Sequence, residues 1–421
     1  MSDYPLQEGW VILFAILVIV GIFAAEGLVI GFGVMGLSVT GIAWVWNKVS
    51  LEELTYERHL SRDRMSVGED VSLSITLTNR KPVPLGRVSV EDELAKEIEL
   101  TVASTGAKAT SSDSALRHST SMAWYERIRW GYKVTCNQRG LYLFGPVRIT
   151  SGDLFGFFKS VKSEPSRDYL IVYPRVLPLS ELGLPASRPL GEVAGGLRIF
   201  QDPSRPMGIR DYERGDPMKT VDWKASAKMQ RLQVRTFEPS SSFTVMLCMA
   251  VETSERVWQG YSQVHLERVV SATASVANYA AERSYTVGLF SNGIPVLAHR
   301  SVGPPILAQR PMRIPASRSP EQQAAILEAL ATVRPLAMSS MDTQLGEYAR
   351  QLPIGATIVV LAAFISSRLV EVIGDLKSQG HKMVVIYVGD TPCPDMLDGV
   401  LVHEIGDYMA RLELAGEFGP G

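Results

Sequence analysis

The chain has 421 residues, of which 42 are basic and 44 are acidic, so its formal net charge is −2. This length allows two or three domains with buried cores, and the near-balanced charge argues against a strongly basic nucleic-acid-binding protein. The three cysteines lie far apart and form no CxxC pair, which argues against both a disulfide framework and a cysteine-rich zinc site.

The first feature along the chain is a long apolar segment at residues 10–46, whose single ionisable side chain is Glu26. One straight helix of this length would extend about 55 Å, nearly twice the ~30 Å hydrocarbon core of a bilayer. Two shorter spans with a turn at "AAEG" fit better, because Glu26 then lies at headgroup level. We predict a transmembrane helical hairpin over residues 1–49. The alternatives are a buried core hairpin and a cleaved signal peptide, although the acidic start "MSDYPLQE" lacks the basic region of a signal peptide.

Basic residues lie on only one side of this hairpin. The stretch before it contains no Lys or Arg, whereas Lys48, Arg58, Arg62 and Arg64 follow it. By the positive-inside rule, the soluble domains and both termini then lie in the cytoplasm. The sequence therefore predicts a two-helix protein of the inner, cytoplasmic membrane.

Residues 50–178 contain short segments in which apolar and polar residues alternate. In "EDVSLSITLTN" the apolar face consists of Val71, Leu73, Ile75 and Leu77. Several such strands, separated by Gly, Pro and Asp, predict an all-β immunoglobulin-like sandwich. The small, polar stretch 103–121 is predicted to be an exposed loop.

The pattern changes at residue 242. "SFTVMLCMAV" is a continuous apolar run, typical of a parallel strand buried on both faces, and strands alternate with helical patterns after it. This alternation predicts a doubly wound α/β domain over residues 242–421. Residues 179–241, which are rich in Gly and Pro in their first half, form a predicted connector.

The carboxyl ends of the C-terminal strands are the first candidate site. The sequence has no P-loop, no HExxH, no GxSxG and no GxGxxG after a strand. Open α/β sheets bind ligands beyond the carboxyl ends of their strands. The first strand ends in "VETSER", which supplies Glu252 and Ser254, and the middle strand ends in "LAAFISS". Hydroxyl and carboxylate oxygens of this kind suit Mg²⁺.

The densest charged run, "GIRDYERGDPMKTVDWKASAKMQRLQVRTFEP", occupies residues 208–239. In an active site, Asp211, Asp216 and Asp222 would serve as acid and base, but neighbouring basic residues lower carboxyl pKa values and disfavour proton transfer near neutral pH. The interspersed acids would also repel nucleic-acid phosphates. We favour a structural and docking role, in which Asp216 and Asp222 make charge-assisted hydrogen bonds that pin the connector to the C-terminal domain and Trp223 points inward. The alternative is a solvated charged loop without a partner.

This run resembles the signature of the bacterial domain-of-unknown-function 58 family, R-x-Y-x-x-G-D, then x-x-W-x-x-S-A-[RK], then L-x-V-[RK]. The matching residues are Arg210, Tyr212, Gly215, Asp216, Trp223, Ser226, Ala227, Lys228, Leu232, Val234 and Arg235. The stretch "QRGLYLFGPVRITSGDLFGFF" at residues 138–158 is similar to the second hallmark of the family.

The resemblance implies a membrane-anchored protein with a C-terminal domain similar to a von Willebrand factor A domain. It also implies a MoxR-type AAA+ ATPase as partner, with other membrane or envelope proteins as clients in chaperone-like maturation of complexes. The expected role is therefore protein–protein interaction, with neither an enzymatic activity nor a nucleic-acid partner. The predicted interaction residues are Arg210, Tyr212, Gly215, Asp216, Asp222, Trp223, Ser226, Lys228 and Arg235.

The metal-ion-dependent adhesion site of such A domains is degenerate in this chain. Its D-x-S-x-S motif becomes "ETSER", in which Glu252 replaces the Asp, Ser254 matches the first Ser and Arg256 takes the place of the second Ser. Thr343 in "MDTQL" is a candidate third ligand. Because Arg256 would bring a positive charge into the metal's pocket, we predict no metal and no cofactor. The alternative is a metal-dependent ligand-binding or enzymatic envelope protein that holds Mg²⁺ through Glu252, Ser254 and Thr343.

Overall fold

The computed structural model describes residues 9–95, 97–103, 111–112, 115–153, 155–185, 189–191, 200–213, 218, 221–240, 243–255, 261–297, 306–308, 310–337, 339–353, 355–396 and 398–414. These residues form, in chain order, two apolar helices, a β-sandwich, a small two-stranded hairpin and a mixed α/β sheet. The predicted order of parts is confirmed at this level, and the exact domain boundaries stay predictions.

The two N-terminal helices, α1 (Gly9–Phe23) and α2 (Gly27–Ser50), pack against each other in antiparallel directions. The predicted turn at "AAEG" is confirmed, and Ala25 takes a left-handed backbone conformation there with φ 51°. Helix α2 is long and apolar enough to cross a membrane, whereas α1 is apolar but shorter, with 15 residues.

Small residues of α2 form its contact with α1. The buried residues of α2 include Gly33, Gly36, Thr40 and Ala43, which recur at helical spacing. A Cβ atom at Gly36 would clash with the ring of Phe14, and one at Gly33 would clash with Val18. The helices therefore approach as closely as they do because α2 has no side chains at these positions.

The β-sandwich comprises β1 (Leu54–Leu60), β2 (Arg64–Ser66), β3 (Asp70–Asn79), β4 (Leu85–Leu94), β5 (Ile98–Val102), β6 (Ser111–Ser112), β7 (Ala115–Met122), β8 (Arg127–Cys136), β9 (Gly140–Gly152), β10 (Lys159–Glu164) and β11 (Asp168–Tyr173). One sheet has the order β1-β3-β8-β5, and the other has the order β2-β11-β9-β4-β7-β6, with β10 paired to β9. The predicted apolar face of β3 is confirmed, since its members are all buried between the sheets: Val71, Leu73, Ile75 and Leu77.

Strand β7 contradicts the prediction of an exposed loop over residues 103–121. It pairs antiparallel with β4 and buries Leu116 and Met122. Its many Ser and Thr residues are typical of a loop, but the segment forms a strand because it pairs with β4, which is distant in sequence. The ring of His118 stacks on Trp130 at 4.4 Å between centroids and lies 3.2 Å from the hydroxyl of Tyr132. Residues 104–110 lie outside the described residues.

His118 is expected to make the sandwich sensitive to acid. Burial lowers its pKa from 6.5 to about 4. Between these two values the unfolded chain binds more protons than the folded chain, so the free energy of unfolding falls as the pH falls. Between pH 6.5 and 4.5, we expect the free energy of unfolding of His118→Gln to fall by about 1–2 kcal/mol less than that of the wild type. Thermal unfolding of the full chain in detergent checks this, with the exposed His59→Gln as control; equal pH slopes for wild type and His118→Gln would contradict it.

After the sandwich, β12 (Phe200–Asp211), α3 (Trp223–Met229) and β13 (Gln233–Ser240) form a separate hairpin. The α/β part comprises β14 (Thr244–Met249), α4 (Gln263–Glu282), β15 (Thr286–Ser291), β16 (Gly293–Leu297), β17 (Ile306–Leu307), β18 (Met312–Ser317), α5 (Gln322–Thr332), β19 (Val333–Ala337), α6 (Met341–Tyr348), β20 (Thr357–Ala362), α7 (Ser367–Ser378), β21 (Lys382–Tyr387), β22 (Leu401–Glu404) and α8 (Gly406–Leu414).

The main C-terminal sheet has the order β18-β15-β14-β20-β21-β22, in which β18 is antiparallel to its neighbour and the other pairs are parallel. Alternate residues of β14 enter two cores. Val245, Leu247 and Met249 join the core that includes residues of α4, α5 and α8. Met246 and Cys248 join the opposite core, beside residues of α6 and α7. The prediction that "SFTVMLCMAV" is buried on both faces is thus confirmed.

The sandwich is joined to the α/β part through buried polar contacts. The Arg139 guanidinium donates to Glu267 at 2.9 Å and to the carbonyl of Leu330 at 2.7 Å. The predicted connector also contributes apolar residues to the α/β core, namely Leu179, Leu182, Leu184 and Leu190.

Candidate functional site

The signature run folds into the hairpin of β12, α3 and β13. Asp222 caps α3, because its carboxylate accepts from the backbone N–H of Ala225 at 3.0 Å and from Nε of Arg235 at 2.8 Å. The bond from Ala225, followed by that from Arg235, lowers the pKa of Asp222. The predicted charge-assisted hydrogen bond of Asp222 is confirmed. Arg235 belongs to β13, however, so this bond closes the hairpin on itself.

Ser226 holds the inner side of the hairpin. Its hydroxyl donates to the carbonyl of Asp222 at 2.7 Å and accepts from the backbone N–H of Gln233 at 2.8 Å. The backbone of Tyr212 donates to the carbonyl of Leu232 at 2.9 Å. The signature therefore includes residues whose role is to join α3 to β13.

Trp223 does not point inward, and that prediction is wrong. Its side chain is 63% exposed at the start of α3. Helix α3 has only 7 residues, and its one buried position is Ser226, so Trp223 lies outside the side of the helix that packs inward. The outward surface, which we name the signature face, combines apolar and basic exposed residues: Ile209, Trp223, Lys224, Lys228, Met229 and Leu232.

The remaining predicted interaction residues are placed as follows. Arg210 is half-buried on β12, where its guanidinium donates to the carbonyl of Asp211 at 3.0 Å and lies 3.9 Å from Glu213. Gly215 and Asp216 lie outside the described residues, so the hydrogen bond predicted for Asp216 stays a prediction.

The second candidate site lies at the carboxyl end of β14. Glu252 is half-buried there, and its carboxylate accepts from the backbone N–H of Met341 at 3.1 Å. Burial raises the pKa of Glu252. Ser254 lies in the same loop, while Arg256 lies outside the described residues.

Asp342 is the residue of this site that the sequence analysis missed. Asp342 directly precedes Thr343 in α6, and the Thr343 hydroxyl donates to the Asp342 carboxylate at 3.0 Å. Ser340 also donates to Asp342, and Ser366 at the start of α7 lies 3.4 Å from its second oxygen. Burial alone would raise the pKa of Asp342, but the hydrogen bonds from Ser340 and Thr343 outweigh it and lower that pKa. The only local signal was that an acidic residue directly precedes Thr343 in the sequence.

These residues bring together two carboxylates and several hydroxyls at one edge of the sheet. The described parts of the chain contain no group of three or more His, Cys, Asp or Glu residues able to hold a metal ion. A hard cation at this edge would therefore depend on Ser and Thr oxygens beside Glu252 and Asp342. In the described hydrogen bonds, both carboxylates already accept from the chain's own donors.

Comparisons with known proteins place both sites in one region. Residues 208–392 match the family model described as "Protein of unknown function DUF58". This part of the chain belongs to the DUF58 family. The match begins at the signature run and extends past Glu252 and Asp342, so the DUF58 region includes both candidate sites. The resemblance read from the signature residues is confirmed.

A curated protein of Bacillus subtilis is also similar to this chain. The "Uncharacterized protein YeaD" of Bacillus subtilis (strain 168) is 27% identical over 245 residues, which are 58% of this chain and 57% of that protein. The aligned part thus spans little more than half of that relative.

The β-sandwich region is similar to domains of known structure. A type II cohesin domain from the cellulosome of Acetivibrio cellulolyticus has a TM-score of 0.21 and 14% identity, and the likeness covers 28% of this chain and 94% of that one. A CARDB domain from Pyrococcus furiosus has a TM-score of 0.19 and 14% identity, covering 28% and 91%. Scores this low carry no functional argument.

Proposed function

We propose that the chain is a non-enzymatic, membrane-anchored adaptor or assembly factor. In this proposal α1 and α2 anchor it in the cytoplasmic membrane, and the soluble parts lie in the cytoplasm. Its partner is a MoxR-type AAA+ ATPase, with which it acts in chaperone-like maturation of envelope or other protein complexes. The sandwich is then immunoglobulin-like, and the α/β part is a relative of the von Willebrand factor A domain.

The signature face carries this proposal. Exposed apolar side chains cost free energy in water, and clusters of them mark interaction sites. Trp223 and Met229 are 63% and 65% exposed, and Lys224 and Lys228 are exposed beside them on α3. A large aromatic ring with basic neighbours suits a protein partner that presents an apolar pocket with an acidic rim.

The state of the hairpin's carboxylates favours an adaptor over an enzyme. Asp222 is bonded to Arg235 and to the start of α3, and its pKa is lowered. Asp211 accepts a hydrogen bond from Gln233 and lies 3.7 Å from Arg231. A general acid or base works best with a pKa near the operating pH, whereas the lowered pKa of Asp222 suits a carboxylate that fixes the geometry of the hairpin.

Co-purification tests the proposal. The full chain, tagged and extracted in a mild detergent, is expected to recover an AAA+ ATPase that mass spectrometry identifies. Lys224→Glu combined with Lys228→Glu should lose that partner. Arg129→Glu combined with Lys133→Glu, which makes the same charge change on exposed positions of β8, should keep it. Repeated absence of an AAA+ protein from the wild-type preparation would count decisively against the proposal.

A metal-dependent binding role is the second candidate, and Asp342 is the observation that favours it. Its carboxylate lies among Ser340, Thr343 and Ser366, and Glu252 lies nearby on the neighbouring loop. These are oxygen donors of the kind that Mg²⁺ takes. Calorimetric titration of the full chain with Mg²⁺ decides between the two: heat that Asp342→Asn abolishes supports a metal site, and absence of heat removes it.

A further inference from the structure

One end of the sandwich is fastened to the end of α2. Nζ of Lys81 donates to the backbone carbonyls of Ser50 and Glu52, and the backbone N–H of Arg80 donates to the carbonyl of Glu53 at 3.2 Å. Lys81 is buried in this position. The β3–β4 loop, residues 80–84, therefore lies directly beside the point where the chain leaves α2.

A second loop with two exposed aromatic residues lies beside the first. The backbone N–H of Tyr125 donates to the carbonyl of Lys81 at 3.3 Å, and the side-chain amide of Asn79 donates to the carbonyl of Ala123 at 2.9 Å. Trp124 and Tyr125 form the tip of this β7–β8 loop, and each is 66% exposed.

A third loop, the turn between β9 and β10, is also aromatic and lies close to both helices. The Ser160 hydroxyl donates to the carbonyl of Asn47 near the end of α2 at 3.3 Å. The ring of Phe157 lies 5.3 Å from that of Trp10, at the start of α1. Phe155 at the tip is 57% exposed.

A side chain of the turn bonds to the turn's own backbone. The Asp153 carboxylate accepts from the backbone N–H of Phe155 at 3.0 Å and from that of Phe158 at 2.7 Å. The loop is therefore fixed in a shape that turns one phenylalanine out of the sandwich.

We propose that Trp124, Tyr125 and Phe155 seat the base of the sandwich in the headgroup region of the lipid bilayer. The two loops that carry them lie at the end of the sandwich where α1 begins and α2 ends, so their apolar surface continues that of the helices. Aromatic side chains of this kind favour the membrane–water interface. Lys48, Arg80 and Arg127 are exposed at the same end and suit anionic lipid headgroups.

This contact rests on the proposed membrane anchorage and adds a second function to it. The helices hold the chain in the membrane, whereas the aromatic loops fix the tilt of the sandwich against its surface. A fixed tilt would hold the α/β part at a constant height, because Arg139 and Arg64 bond the sandwich to α4 and α5.

Depth-dependent quenching tests the proposal. The full chain with Cys393→Ser is labelled with an environment-sensitive fluorophore at one added cysteine: Trp124→Cys, Phe155→Cys, Ile42→Cys or Arg62→Cys. Each variant is reconstituted in vesicles of phosphatidylcholine and phosphatidylglycerol that contain quencher lipids. Position 42 is exposed on α2 and reports on anchorage, while position 62 is exposed beyond the far end of β1.

We expect headgroup quenchers to cause a strong loss of emission at 124 and 155 and none at 62, and acyl-chain quenchers to act at 42. Quenching at 42 without any at 124 and 155 would overturn this inference and leave the anchorage intact. Absence of quenching at all of the labelled positions would overturn both.

Discussion

Replacing Arg58 with methionine is expected to destabilise the chain by about 3–5 kcal/mol, because it leaves a buried carboxylate without its positive partner. The Arg58 side chain is 1% exposed and pairs with Asp92, which is 0% exposed, at 2.9 Å. Arg58 also donates to Asp168 at 3.0 Å, and the Tyr56 hydroxyl donates to Asp92 at 2.6 Å. Burial raises the pKa of Asp92, so that carboxylate depends on these partners for its charge.

Chemical unfolding of the full chain in detergent measures this effect. Arg117→Met is the matched control, because Arg117 pairs with Glu91 at 3.2 Å but its side chain is 55% exposed. The control should cost no more than about 1 kcal/mol. Arg58→Met combined with Asp92→Leu should cost less than the sum of the two single changes. If Arg58→Met lowers the free energy of unfolding by no more than the control does, the buried pair is no more important for stability than an exposed one.

Gly36→Leu is expected to separate α1 from α2, at a cost of about 1–3 kcal/mol for the overpacked contact. A side chain at this position would occupy the space of the Phe14 ring. Gly41→Leu is the matched control on the same helix, because a Cβ atom there has no neighbour within 4 Å.

Spin labels at the exposed positions 19 and 35 report the separation of the helices in vesicles. We expect a narrow distance distribution in the wild type and in Gly41→Leu, and a broad one in Gly36→Leu. A narrow, unchanged distribution in Gly36→Leu would mean that the small residues of α2 do not form the contact.

The parts of the fold that could be predicted are those in which buried apolar residues recur at regular spacing along the chain. Apolar spacing of this kind indicates which faces of a strand are buried. It predicted correctly that one face of β3, with Val71, Leu73 and Ile75, and both faces of β14 are buried. The "AAEG" turn was predictable as well, because residues 10–46 exceed the length of one span.

The parts that could not be predicted depend on contacts between residues distant in sequence. Strand β7 has a polar composition and forms because β4 lies beside it. Trp223 was predicted to point inward, but it is exposed at the start of a short helix on a two-stranded hairpin. Asp342 of α6 lies beside Ser366 because α6 and α7 begin at the same edge of the sheet. This contact joins residues 24 positions apart, and no local sequence pattern predicts it.

The adaptor role is tested most directly by measuring binding between the purified full chain in lipid nanodiscs and the AAA+ ATPase recovered with it. We expect Lys224→Glu combined with Lys228→Glu to weaken this binding by tenfold or more, equivalent to about 1.4 kcal/mol, and Arg129→Glu combined with Lys133→Glu to leave it unchanged. Equal affinities for the two double variants would contradict the assignment of the signature face, and no binding by the wild type would contradict the adaptor role itself.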